Sequence, residues 1–425
     1  MIQLNLKHDI LTPYFWVMLF ILSFRVLARS PLGIIEEILF LTLLAIIIFT
    51  VFGTVLIRLS KGRLNYLFLI LLPLLIVPFI NAYQANKIFH QPFSIGLATQ
   101  RQHFILLCGY FCVIALQRNW ISLKLLEKYF MRSLYINLFM MIFFSVFIEP
   151  ALFKDTEFVK FTLNKGWQYE FPNAIAIAII IYSIGKVWGE NKTYAYIPLF
   201  LSIGYFFVYG QDRSQILFAT ITIFIYYIFN LNLYKKVKYA LGTLLLSMFV
   251  LGILSILYPE IIEHYLKIFG NASSIVTGKE VEESSTNIRF TESAIAIENF
   301  IKHPWLGNGS ISAKFNGGFK GFFGYFYPGD IGILGNLFVY GILGTLAFYI
   351  PFYFSLIWSI KMRKLQSGFL NLCIYGMLFT FLDMITAASN IKFIGLPAFY
   401  FAIIYYYRYY VYPFQKEDEG LMPQH

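Results

Sequence analysis

The chain has 425 residues, of which 59% are hydrophobic and 20% aromatic, while only 13% are charged, about half the charged share usual in soluble domains. That composition sets it apart from soluble enzymes and places it among polytopic membrane proteins. The formal net charge of +11 does not point to nucleic acid, because the basic residues sit in short clusters between apolar runs and form no stripe with interleaved aromatics.

The N-terminal MIQLNLKHDILTPYFWVMLFILSF has no small-residue cleavage site after its apolar run, so it reads as a retained first span. Apolar runs long enough to cross roughly 30 Å of hydrocarbon at about 1.5 Å per residue predict about twelve transmembrane helices. They lie at 12–29, 33–57, 64–82, 103–117, 132–149, 172–188, 194–210, 215–232, 240–258, 330–358, 370–388 and 392–411. The tenth is long enough to be broken or tilted. The expected fold is therefore all-α and polytopic: nine spans in 1–258, a large loop at 259–329, three spans in 330–412 and a tail at 413–425. Cys108, Cys112 and Cys373 all fall in apolar runs, which supports neither a disulfide framework nor a zinc site.

With this span count, Arg58/Lys61/Arg63, Arg118/Lys124/Lys128/Arg132, Lys186/Lys192, Lys235/Lys236/Lys238 and Lys361/Arg363/Lys364 share one side. The positive-inside rule makes that side cytoplasmic, with both termini inside and the longer connections 83–102, 150–171 and 259–329 outside. A loop as long as the last of these is functional or disordered as a rule. Within it, Phe290, Ala294, Ile297 and Ile301 recur at helical spacing beside a stripe of Arg289, Glu292, Ala296 and Asn299. Pro304 ends that helix, and Gly307 and Gly309 turn the chain. The expectation is an amphipathic helix over the external face, its polar stripe turned to a cavity or to water.

Several residues could carry chemistry. Arg213, in YGQDRSQILF, is either an interfacial arginine snorkelling to headgroups or a guanidinium fork gripping phosphate oxygens. Arg289 either pairs with Glu292 in solvent or joins Arg213 on a pyrophosphate. Asp330 follows Pro328 and Gly329 at the start of the tenth span, where it serves as an N-cap or as a general base. Asp383, inside the eleventh span, needs a partner or water and is expected at the substrate's edge. Arg25 and Arg101, near outer span ends, fit snorkelling, with Arg101 also a candidate for binding substrate. His303 fits a turn residue and is a further substrate-side candidate. HExxH, GxxxxGK[ST], GxSxG and CxxC signatures are absent from the sequence. There is also no internal repeat of the kind that marks inverted-repeat transporters.

Four segments occur in a telling order: FPNAIA opening a span, DRS after another, IRFTESAIAIENFIKHPWLGNG in the large loop, and DIGILGNLFVYGILG opening the next span. Together, over residues 171–344, they resemble the O-antigen polymerase and O-antigen ligase family. The resemblance implies a GT-C-like, multispan glycosyltransferase of the bacterial cytoplasmic membrane that needs no cofactor. Its donor and acceptor would be undecaprenyl-diphosphate-linked oligosaccharides, with a chain-length regulator as a further partner. It also implies that Arg213 and Arg289 engage the pyrophosphate. Asp330, eleven positions before Gly341, stands where ligases of the family commonly have a histidine taken as the base. Polymerisation is the expected reaction, with ligation to lipid A core, or translocation of the same lipids without chemistry, as the rivals.

Overall fold

The computed structural model describes residues 11–27, 30–61, 66–154, 156, 158–162, 166–210, 213–239, 284–362, 365, 367–387 and 395–413, with the side chains of 11, 12, 213 and 284–287 left aside. The described chain is mostly helical. In order run α1 (Leu11–Phe24), α2 (Gly33–Ser60), α3 (Tyr66–Phe89), α4 (Phe93–Thr99), α5 (Leu106–Gln117), α6 (Leu123–Phe147), α7 (Ala174–Ile184), α8 (Tyr196–Tyr205) and α9 (Arg213–Asn230). After the large loop begins come α10 (Ser284–Lys302), α11 (Phe319–Phe323), α12 (Gly332–Lys361), α13 (Gly368–Thr386) and α14 (Gly395–Tyr406).

Six stretches are long and apolar enough to cross a membrane: Gly33–Ser60, Tyr66–Phe89, Leu123–Phe147, Thr193–Gly210, Gly332–Lys361 and Gly368–Thr386. Shorter apolar helices cover Pro13–Phe24, Arg101–Gln117, Ala174–Gly189 and Ser214–Asn230. The protein is thus a helical, multi-pass membrane protein. The expected ninth span at 240–258, the loop from 259 to 283 and the tail from 414 lie outside the described residues.

The middle of the bundle is α5 against α14, with α13 packed on α7, α9, α12 and α14. Every residue from Leu106 to Leu116 is buried, as expected of a helix that is apolar all round. Small residues let these helices approach: a Cβ on Gly109 would lie 2.5 Å from the Ala398 carbonyl oxygen. On the periphery α2 turns Ile34, Ile38 and Phe49 outward, an apolar face suited to lipid.

The connection expected at 150–171 holds an antiparallel hairpin, β1 (Val159–Thr162) and β2 (Gly166–Tyr169), pairing Val159 with Tyr169 and Phe161 with Trp167. It adds two strands to the all-α expectation. Bulky residues alternating along both strands, Val159 and Phe161 in β1 and Trp167 and Tyr169 in β2, account for it.

The long tenth span is broken. Gly341 sits at φ 64° and ψ −170° inside α12, so the regular bonds from the N–H groups of Ile342 and Leu343 to the carbonyls of Phe338 and Val339 cannot form. The loop after α10 takes their place. Ile342 N–H donates to the Pro304 carbonyl at 2.8 Å and Leu343 N–H to that of Trp305 at 3.1 Å, while Asn308 and Gly309 N–H donate to the Phe338 and Val339 carbonyls at 2.8 and 3.0 Å. Non-helical backbone inside a membrane protein is tolerated only when its polar groups are satisfied in this way. The HPWLGNG segment is thereby a structural clip on the helix that carries the Gly341/Gly344 pair.

Candidate functional site

The helix α10 is rotated so that its apolar stripe faces out. Phe290 is 70% and Ile301 68% exposed, whereas Glu292 and Ala296 are each 1% exposed. The expectation of a polar stripe facing water is corrected at these two positions, because α10 packs that side on α12. Glu292 is held there by the backbone N–H of Tyr327, which donates to its Oε1 at 2.9 Å. Burial raises the Glu292 pKa, the Tyr327 bond opposes the shift, the Asp330 charge adds to it and the Arg289 charge again opposes it. Arg289, Glu292 and Asp330 are therefore electrostatic neighbours. Arg289 is exposed and forms no ion pair with Glu292 among the described residues, so its guanidinium remains available at the surface.

Asp330 closes a short 3-10 turn, Pro328–Asp330. It does not cap α12. That helix begins at Gly332 with Ile331 at the cap position and no side-chain cap bond, so the N-cap expectation is corrected by one residue of offset. The turn is fixed by close approach on two sides: a Cβ on Gly335 would meet the Pro328 carbonyl oxygen at 1.8 Å, and one on Gly332 the Ile385 carbonyl oxygen at 2.1 Å. This brings the Asp330 turn to the end of α13 that carries Asp383.

Asp383 is buried and lines a narrow cleft with Asn173, Gln215, Thr380, Pro397 and Tyr400. Here α7, α9 and α14 begin and α13 ends. Asn173, the N-cap residue of α7, makes no capping bond; its Nδ2 donates instead to Gln215 Oε1 at 3.1 Å and to the Gly210 carbonyl at 3.4 Å. Those two acceptors flank Arg213, which opens α9. The Arg213 side chain and the neighbouring Asp212 lie outside the described residues. The FPNA and DRS segments are thus tied together by one amide.

Arg25 and Arg101 share a partner. Both bind Glu37: Arg25 Nη2 donates to its Oε2, and Arg101 Nε donates to its Oε1 at 2.6 Å. A half-buried carboxylate on α2 thus partners both arginines. His303 is a turn residue, as its carbonyl accepts from Gly307 N–H at 3.0 Å where α10 ends.

Two residues that sequence reasoning passed over hold the loop in place. Asn81 Nδ2 donates to the Val339 carbonyl at 3.1 Å and its Oδ1 accepts from Ser310 N–H at 2.9 Å. Gln91 likewise donates to the Ser310 carbonyl at 3.1 Å and accepts from Ser312 N–H at 2.7 Å. The available signal was an amide inside an otherwise apolar third span, which needs a partner. No family model and no curated protein matches the chain. The fold and site define the class, a multi-pass helical membrane protein in which Arg289, Glu292 and Asp330 are electrostatic neighbours.

Proposed function

We propose that the protein polymerises undecaprenyl-diphosphate-linked oligosaccharide repeats into O-antigen, capsular or exopolysaccharide at the outer face of a bacterial cytoplasmic membrane. In this reading an acceptor hydroxyl attacks the anomeric carbon of the donor sugar. The bond from that carbon to the diphosphate oxygen breaks, and the hydroxyl proton passes to Asp330. Arg213 and Arg289 meet the charge that gathers on the departing diphosphate. Such a donor already carries a good leaving group, so positive charge and a modest base suffice.

The observation that carries the reading is the use made of Glu292. That carboxylate is occupied by the Tyr327 N–H, and Arg289, on the same loop that leads to Asp330, forms no ion pair among the described residues. The Asp330 carboxylate is in turn not spent on capping α12. An exposed cation and an uncommitted carboxylate at one end of the bundle are what group transfer from a lipid diphosphate requires.

The test is incubation of purified protein with lipid-linked repeat units. Lengthened lipid-linked chains are expected; transfer to lipid A core would make the protein a ligase, and no product at all would favour translocation. Arg213→Ala and Arg289→Ala are each expected to lower polymerisation by about a hundred-fold or more, with lysine rescuing only in part because a point charge lacks the planar fork. Full activity in both alanine variants would sink the assignment.

A further inference from the structure

We propose that Arg58 and Arg118 form a headgroup site for an anionic phospholipid on the seam between α2 and α5, at the end of the bundle away from the candidate site. The helices themselves tell the two ends apart. Glu37, near the start of α2, bonds Arg101 just ahead of α5, whereas Arg58 and Gln117 close the same two helices. Leu396 and Pro397 of the Asp383 cleft likewise sit at the start of α14, and Tyr410 lies beyond its end.

The seam is built by reciprocal reach. Arg58 Nη2 donates across it to Gln117 Oε1 at 2.6 Å, and Arg118 Nη2 donates back to Thr54 Oγ1 at 3.1 Å. Thr54 and Arg58 stand one turn apart on one face of α2, and Gln117 and Arg118 are consecutive, so both guanidiniums are held on the same short stretch. Gln117 Nε2 extends the network to the Tyr410 hydroxyl at 2.6 Å. The Trp120 ring, centred 5.1 Å from the Arg118 guanidinium carbon, steadies that arginine from the side.

What this network lacks is an acid. Among the described residues no carboxylate pairs with Arg58 or Arg118, and the one bond each makes goes from Nη2 to a neutral oxygen. Nε and Nη1 of both therefore remain for a ligand, and they are within its reach, since Arg58 is half-buried and Arg118 exposed. Two cations positioned side by side by neutral partners repel each other; a phosphate accepting from both forks relieves that repulsion.

The surroundings make that phosphate a lipid's. Beside the seam α2 turns Phe52, Leu56 and Leu59 outward, a face for acyl chains, while Trp120 and Tyr410 are part-exposed at the level of the arginines, as aromatic residues are at a membrane interface. A zwitterionic headgroup would bring its own ammonium against two guanidiniums, so the occupant is an anionic phospholipid. The site does not depend on the reaction proposed above.

Its test places the full-length protein in phosphatidylcholine nanodiscs in which phosphatidylglycerol replaces a rising share of the lipid, with the thermal unfolding midpoint as readout. The midpoint is expected to rise and saturate. The double variant Arg58→Gln/Arg118→Gln is expected to need about ten-fold more phosphatidylglycerol for the same rise, or to show none. Lys124→Gln/Lys128→Gln, which removes the same charge from exposed positions at the start of α6, should respond like the parent. If the glutamine variant fails to fold, Arg58→Lys/Arg118→Lys decides: it keeps the charge but loses the planar forks, and its response should weaken several-fold. The proposal is overturned if phosphatidylglycerol leaves the midpoint unchanged, if inorganic phosphate in phosphatidylcholine alone reproduces the rise, or if the lysine pair on α6 matters as much as the two arginines.

Discussion

Gly307 and Gly341 meet backbone to backbone, close enough that a Cβ on either would lie 2.5 Å from the other's nitrogen. Both have positive φ, 72° and 64°, a region that residues with a side chain adopt rarely and at a cost. Their contact is what allows a loop from outside the bundle to complete the hydrogen bonding of a broken span.

Gly341→Ala is accordingly expected to cost about 2–5 kcal/mol, combining left-handed strain with overpacking against backbone that cannot yield. Gly53→Ala is the control: nothing lies within 4 Å of its added methyl, and a helical position favours alanine by about 0.5–1 kcal/mol. Thermal unfolding of the two variants in the same detergent decides the matter, and equal midpoints would contradict the clip.

Asn81 acts on the same clip from α3. Asn81→Ala removes the acceptor used by the buried Ser310 N–H and one donor to Val339, a loss of about 1–3 kcal/mol. Amide exchange in residues 304–310 should accelerate in this variant while exchange in α5 stays slow. Uniform acceleration throughout the chain would mean that Asn81 supports the bundle generally and not the loop.

The docking of α10 should weaken as pH rises. Burial lifts the Glu292 pKa above its ordinary 4.5, so the folded state holds the proton more tightly than the unfolded one. The stabilisation linked to this group is complete below about pH 4.5 and disappears as pH climbs through the raised value. Glu292→Gln, which keeps an oxygen for the Tyr327 N–H, should flatten that dependence. Protease sensitivity of the α10 segment between pH 4 and 8 would reveal it, and an unchanged slope in the glutamine variant would count against Glu292 as its origin.

Asn173→Ala should lower polymerisation by roughly ten-fold with little change in thermal midpoint, because the residue holds the Gly210 carbonyl and the Gln215 side chain on either side of Arg213 and small misplacements are costly in catalysis. The bonds it loses, to Gln215 and Gly210, are 3.1 and 3.4 Å long. Activity equal to the parent's would show that the link between α7 and α9 is structural only.

Six of the expected spans, the helix over Phe290 to Ile301 and its stop before Pro304 were legible in the sequence, since each depends on a local property: run length against bilayer thickness, periodicity, and a ring that cannot continue a helix. The long tenth run also announced that it could be broken. What the tertiary structure decided was everything that depends on a partner far along the chain. Which face of α10 turns inward was settled by the buried bond between Glu292 and Tyr327, since an apolar stripe beside a bilayer faces lipid as readily as protein. Arg25 and Arg101 were paired with Glu37, and Asp330 was moved off the cap by one residue of chain geometry. Hydrophobic periodicity records only how a residue partitions between water and oil; the pairing of polar groups across a bundle is set by three-dimensional approach, and it is those pairings that determine which charges at this site are spent and which remain for chemistry.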